Sequence, residues 1–269
     1  MSRSNGPKIL NGRELAGFIK ERQATVVRGL KRKPSLLIIR DSENPVISKY
    51  VSLKKRYGED IGANVMDYLA SSSHEIEEKI ASANQDEAID GMILQLPILE
   101  KERTDELTDK ILPSKDVDGL GSRAEFDSAT ATAILWLLSG YDVSFEGKKI
   151  AIVGRGKLVG APLFKIFKSS GVQAEMFHRG SDLSKLRNFD IIISATGQPG
   201  LILDEYVSSG AVVVDAGTAS ENGVLVGDVS DAVRKRQDLA AITPLIGGVG
   251  PLTITCLFEH LIEAYNKKK

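Results

Sequence analysis

The chain of 269 residues is long enough for two domains of ordinary size, and its formal net charge of -1 gives no reason to expect a polyanionic partner. Lysines and arginines are scattered apart from the terminal run Lys267 to Lys269, which argues against nucleic acid as a ligand. The lone cysteine, Cys256, excludes an intramolecular disulfide; with no signal segment and no apolar run of membrane-spanning length in view, a cytoplasmic protein is expected.

From Ser35 onward β-rich and helix-periodic segments alternate. Leu36 to Ile39 reads as a strand, and Asn44-Pro45 opens a helix from Val46 to about Asp60. A strand over Asn64 to Leu69 precedes a helix over Glu75 to about Ala83. Ile89 to Leu96 is a third strand, stopped by Pro97, and a helix follows near Arg103 to Ile111. Pro113 to Phe126 reads as a polar linker leading into an Ala- and Leu-rich helix from about Ser128 to Ser139. A second alternation takes Ile150 to Val153, Glu175 to Phe177, Ile191 to Ser194, Val212 to Asp215 and Ala241 to Thr243 as strands, before a last helix over Leu252 to Tyr265. The pattern predicts two open-sheet α/β domains, the second of Rossmann type, with the helices near 128 and 252 as bridges. The expected division is 1–120 with 251–269, and 121–250.

Gly154, Gly156 and Gly160 break the apolar run Ile150 to Val153 and lead into a helix. Such a strand–loop–helix unit presents backbone N–H groups and the positive end of a helix dipole to phosphate. The G-x-G-x-x-x-G spacing is one residue longer than the usual dinucleotide fingerprint and carries little alone. NAD-selective sites place a carboxylate about 20 residues past the loop. Here that stretch is Phe177 to Gly180, which has no acid; Arg179 lies there and Arg155 lies in the loop itself. Two guanidiniums suit a ribose 2′-phosphate, so NADP is favoured over NAD, unless Arg179 is only a solvent-facing loop residue. His178 is either an adenine-stacking or a structural histidine.

In the first half, Tyr50 and Lys54 stand four apart on one helix face, and Gln95 ends the third strand, at the sheet edge where ligands collect. A lysine desolvated there would have a lowered pKa and serve as acid or base; otherwise it is a solvated helix-face charge. Asp116 to Gly119 offers a carboxylate to a ligand or caps a turn. His74 and His260 are expected on helix surfaces or caps. No Cys/His cluster has metal-ligand spacing, and no metal is expected.

Tyr50-Val-Ser-Leu-Lys54, Gln95-Leu-Pro97, Lys115-Asp-Val-Asp-Gly119, Gly154-Arg155 with Val159-Gly-Ala-Pro162, and Thr243 to Thr253 with its Gly247-Gly-Val-Gly-Pro251 core occur in one order. Together they resemble the bifunctional methylenetetrahydrofolate dehydrogenase/methenyltetrahydrofolate cyclohydrolase family, from about Asn11 to the final helix. The resemblance implies NADP-dependent oxidation of 5,10-methylenetetrahydrofolate, hydrolysis of the methenyl product, a folate substrate and a homodimer. It implies that Lys54 is the catalytic lysine, positioned by Tyr50 and Gln95. Asp118 would hold the pterin, while Leu94, Leu96 and Gly247, Gly248, Val249 and Gly250 would border the folate. Gly154, Arg155, Gly156 and Arg179 would meet NADP, with Thr218 on the nicotinamide side.

The chain departs from that family in three places. Gly156 replaces a loop serine, Ser128-Ala-Thr-Ala131 replaces a Pro-Cys-Thr-Pro-like segment, and Ile47 and Ile246 replace a serine and a proline. These changes bear on the oxidation more than on the hydrolysis, and they leave a non-catalytic folate- or nucleotide-binding descendant as the alternative.

Overall fold

A computed structural model describes residues 6–217, 219–221 and 224–268, with 219–221 and 224–225 as backbone only. In chain order the elements are β1 (Lys8–Ile9), α1 (Gly12–Arg28), β2 (Ser35–Arg40), α2 (Pro45–Ile61), β3 (Asn64–Leu69), α3 (Ser73–Gln85), β4 (Gly91–Leu94), α4 (Thr104–Asp109) and α5 (Ala129–Gly140). There follow β5 (Ile150–Val153), α6 (Gly160–Ser169), β6 (Ala174–Phe177), β7 (Ile191–Ser194), β8 (Val212–Asp215), β9 (Ala219–Glu221), β10 (Val224–Val226), α7 (Asp231–Arg234), β11 (Ala241–Ile242) and α8 (Val249–Lys267).

The chain divides into two compact units, 1–16 with 130–253 and 17–129 with 254–269. The divisions fall within α1, α5 and α8. Residues 1–16 thus belong with the glycine-loop unit, whereas the sequence reading grouped them with the first domain. The reason is β1, which pairs in parallel with β11 through Lys8–Ala241 and Ile9–Ile242.

In the unit of 17–129 and 254–269, the sheet order is β3-β2-β4, all parallel. Leu36 to Ile39 of the central strand and Met92 to Leu94 of β4 are buried, as parallel strands covered on both faces require. Asn44 accepts the Val46 N–H at 2.9 Å, Pro45 sits where no helical N–H is needed, and Gly62 closes α2 in the left-handed region at φ 84°. Ile47, Val51, Tyr57 and Ile61 form the buried face of that helix. Ile47 is therefore a core residue. The segment 113–126 is packed, with Val117, Leu120 and Phe126 buried, so it is not a free polar linker.

In the other unit, the six-stranded sheet runs β1-β11-β8-β7-β5-β6 with parallel pairing throughout, and β9 and β10 form a separate antiparallel pair. Its inner strands are short, largely buried apolar runs, and Ile191, Ile192 and Ile193 are at most 1% exposed, whereas the edge strands β1 and β6 are partly or wholly exposed. This is the doubly wound arrangement expected of a Rossmann-type domain.

Candidate functional site

Each unit carries one constellation. In the unit of β2 to β4, α2 starts beyond the carboxyl end of β2 and brings Lys54 to the carboxyl end of β4, where Gln95 follows Leu94. Lys54 Nζ donates to Gln95 Oε1 at 2.6 Å. The Gln95 Nε2 group donates to the Leu96 carbonyl at 3.0 Å, which fixes the amide with its oxygen toward the lysine. Gln95 is further tied by its backbone N–H to the Ile39 carbonyl at 2.8 Å.

Asp118 is the third member. Burial of the ammonium pushes the Lys54 pKa below the ordinary lysine range, and the Asp118 charge opposes that fall. Burial pushes the Asp118 carboxyl upward, and the Lys54 charge opposes that rise. Both shifts favour the uncharged forms. The pair is thus a place where a proton is easily gained or lost. Lys54, Gln95 and Asp118 all remain half-buried, so solvent and ligand retain access. Tyr50, also half-buried, lies one helical turn before Lys54. Leu94 is buried in β4, and Leu96 precedes Pro97 through a cis peptide bond.

The Asp118 turn is built by its neighbours. Lys115 donates to the carbonyls of Ala83, Asn84 and Asp86 at 2.7, 3.0 and 2.8 Å, satisfying the carboxyl end of α3. The buried Asp116 carboxylate accepts the backbone N–H groups of Gly119, Leu120 and Gly121 at 3.0, 3.0 and 2.6 Å. Burial lifts its pKa to about 6 against the pull of those bonds. Asp116 therefore shapes the turn, while the Asp118 charge is felt by the lysine.

In the other unit, three consecutive strands of the sheet, β6, β5 and β7, end on a cavity of about 410 Å³. Gly154, Arg155, Phe177, Arg179, Ala195 and Thr196 are among its walls. Gly154 has φ 104°, and a side chain there would press on the Ala195 carbonyl oxygen at 2.6 Å. A Cβ on Gly160 would come within 1.9 Å of the Gly154 carbonyl oxygen. Gly156, in contrast, faces open space. Two of the three glycines are thus dictated by close approach and the middle one is not.

Arg155 and Arg179 both line the cavity, and none of the described lining residues is acidic. His178 is exposed, with Nδ1 3.0 Å from the Arg179 carbonyl oxygen. A tight glycine cradle with two cations and no carboxylate fits a dinucleotide bearing an extra phosphate. Gly247 has φ 91° and accepts the Arg13 N–H at 2.9 Å. Gly248 and Val249 are buried, Gly250 is exposed, and Ile246 projects to solvent at 63% exposure. Thr218 lies outside the described residues.

Two positioning groups were not legible in the sequence. Asp228 is 1% exposed and accepts from Ser194 Oγ at 2.7 Å, the Thr196 N–H at 2.6 Å and the Gln198 N–H at 2.9 Å, bracing one wall of the cavity. Asp215 in turn accepts the Asp228 and Val229 N–H groups and pairs with Arg234. His260 is not on a helix surface as expected. It is buried on α8, whereas His74 is exposed at the start of α3. A histidine within an apolar run gives no sign of its partner.

Comparison with known proteins gives the same picture over nearly the whole chain. Residues 10–118 match the family model for the tetrahydrofolate dehydrogenase/cyclohydrolase catalytic domain, and residues 128–269 match the model for its NAD(P)-binding domain. The chain is 35% identical to a bifunctional protein FolD of Lactobacillus acidophilus, over 95% of this chain and 96% of that one. The structure of a bifunctional FolD from Campylobacter jejuni superposes with a TM-score of 0.91 at 30% identity, covering 97% of this chain and 99% of the other. The Trypanosoma brucei FolD, solved with NADP cofactor and an inhibitor, superposes with a TM-score of 0.89 at 27% identity, over 98% of both chains.

Proposed function

The chain belongs to the tetrahydrofolate dehydrogenase/cyclohydrolase family, and on that premise we infer that it oxidises 5,10-methylenetetrahydrofolate with NADP+ and hydrolyses the 5,10-methenyl product to 10-formyltetrahydrofolate. The observation that carries this reading is the hydrogen bond from Lys54 to Gln95, made where burial lowers the lysine pKa.

Bound NADP+ supplies the hydride acceptor. Gly154, Arg155, Gly156 and Arg179 are the groups of this chain that would hold it: the glycines by letting its phosphates approach the backbone, the arginines by charge-assisted bonds. The oxidation itself needs placement of the folate more than proton transfer, because the folate nitrogen lone pairs drive hydride loss. Asp118 would serve that placement by accepting from the N–H groups of the pterin, with Tyr50, Leu94 and Leu96 against the rest of the molecule.

Hydrolysis does need proton movement. Water adds to the methenyl carbon and loses a proton; the bond from that carbon to N5 then breaks, N5 takes a proton up, and the remaining hydroxyl proton passes to solvent as the formyl C=O forms. An uncharged Lys54 accepts the first proton and returns the second, while Gln95 keeps its nitrogen aimed. The positive charge on the methenyl substrate lowers the lysine pKa further by like-charge repulsion. The altered glycine loop does not favour a non-catalytic descendant, because Gly156 faces open space and does not set the loop's shape.

The resemblance further supports a homodimer in the cytoplasm. Among the described residues no helix is long and apolar enough to cross a membrane. Light scattering is expected to give twice the chain mass, and a monomer at micromolar concentration would overturn the dimer. Formation of the methenyl product, followed by its absorbance, tests the oxidation. It is expected at least tenfold faster in kcat/KM with NADP+ than with NAD+, since two guanidiniums would meet the 2′-phosphate at roughly 1 kcal/mol or more each. Equal rates with the two cofactors would contradict the assignment of Arg155 and Arg179.

A further inference from the structure

We propose that His260 is a positioning residue for Asp118, acting through the peptide bond that joins Val117 to Asp118. The proposal rests on the reading of Asp118 as a folate ligand and adds a group that the family resemblance does not name. His260 Nδ1 lies 2.9 Å from the Val117 carbonyl oxygen. A carbonyl oxygen only accepts, so the proton of the neutral ring resides on Nδ1. Burial lowers the pKa of this histidine, in keeping with a neutral ring.

The consequence follows from planarity. The Val117 carbonyl and the Asp118 N–H belong to one rigid peptide unit, so a bond that fixes the oxygen also fixes the plane leading into Asp118. On the other side, the Asp118 carbonyl accepts the Ala129 N–H at 3.1 Å. Both peptide planes flanking Asp118 are therefore held, and with them the direction of its Cα–Cβ bond toward Lys54. The imidazole is held in turn by Phe126, stacked on it with centroids 4.9 Å apart and planes 21° from parallel. His260 and Phe126 are 8% and 6% exposed, so the bond is made away from water, where losing the donor leaves the Val117 oxygen unsatisfied.

Two substitutions separate the donor from the ring. His260→Phe keeps an aromatic ring against Phe126 and removes the N–H. His260→Asn places an N–H at the same branch position and removes the ring. With the full-length enzyme, His260→Phe is expected to raise KM for 5,10-methylenetetrahydrofolate about tenfold, the scale of one lost hydrogen bond, with KM for NADP+ within about twofold of wild type. His260→Asn is expected to keep the folate KM within about threefold even if it melts earlier.

The proposal is overturned if folded His260→Phe keeps the wild-type folate KM, or if His260→Asn raises it as much as Asp118→Ala does. Should His260→Phe not fold, the Asn variant alone decides. Asp118→Ala is assayed beside them: an unchanged folate KM there would refute the folate role of Asp118 itself. A large rise there with an unaffected His260→Phe would count against His260 alone.

Discussion

Lys54 stands where an ammonium is costly, and the Asp118 charge only partly offsets the burial. The free amine is the form that accepts water's proton, so kcat/KM for hydrolysis rises with pH and levels off once Lys54 is deprotonated. Because its pKa lies below 10.5, the plateau begins earlier than for a solvated lysine. The sign for Asp118 follows directly. Its negative charge favours the ammonium, so Asp118→Asn should lower the Lys54 pKa further and move the rising limb of the kcat/KM profile to lower pH. A shift to higher pH, or none, would mean that the carboxylate does not act on the lysine.

The strand–loop–helix unit of β5 and α6 treats its three glycines unequally, which their spacing alone does not reveal. Gly154→Ala and Gly160→Ala place a methyl group 2.6 and 1.9 Å from backbone oxygens, and each is expected to raise KM for NADP+ by about tenfold or more, or to prevent folding. Gly156→Ala should change it by about threefold or less, because nothing lies within 4 Å of the added carbon. Titration of NADP+ against the three variants decides the order, and a loss at Gly156 equal to the others would show that the loop closes on it.

Strands β5, β7 and β8 match the sequence reading residue for residue, because a buried parallel strand is a short apolar run and little else resembles one; β3 matches too, although it is only half-buried and carries Asn64 and Asp67. Helix α2 was legible from Asn44-Pro45, which stop and start the backbone in physically distinct ways. The first element pair was not. Both residues of β1 are exposed and its meaning lies in pairing with β11, more than 230 positions later; α1, rich in charge, buries the polar Gln23 while leaving Phe18 and Val26 exposed, so residue type misreports its inward face. The Lys54–Gln95 pair was legible as two candidates at one sheet edge. Their bond, across 41 positions, needed coordinates. His260 lay beyond reach, since a backbone carbonyl 143 positions away leaves no trace in residue types.

For the molecule as a whole, the two units have separate cores and separate constellations, one with the chemistry of proton transfer and one with the cradle of a dinucleotide. That separation makes the two reactions experimentally separable. Substituting Lys54 by Met removes a buried ammonium and leaves the cofactor cavity untouched, so the variant should melt no lower than wild type and bind NADP+ equally well. The measurement to make is the disappearance of added 5,10-methenyltetrahydrofolate, followed by absorbance with wild type and with Lys54→Met, at a pH where its spontaneous hydrolysis is slow. Wild type should consume it and the folded variant should do so at least ~100-fold more slowly, the usual weight of a general acid–base group. Hydrolysis at the wild-type rate by folded Lys54→Met would contradict the assignment of that reaction to the buried amine.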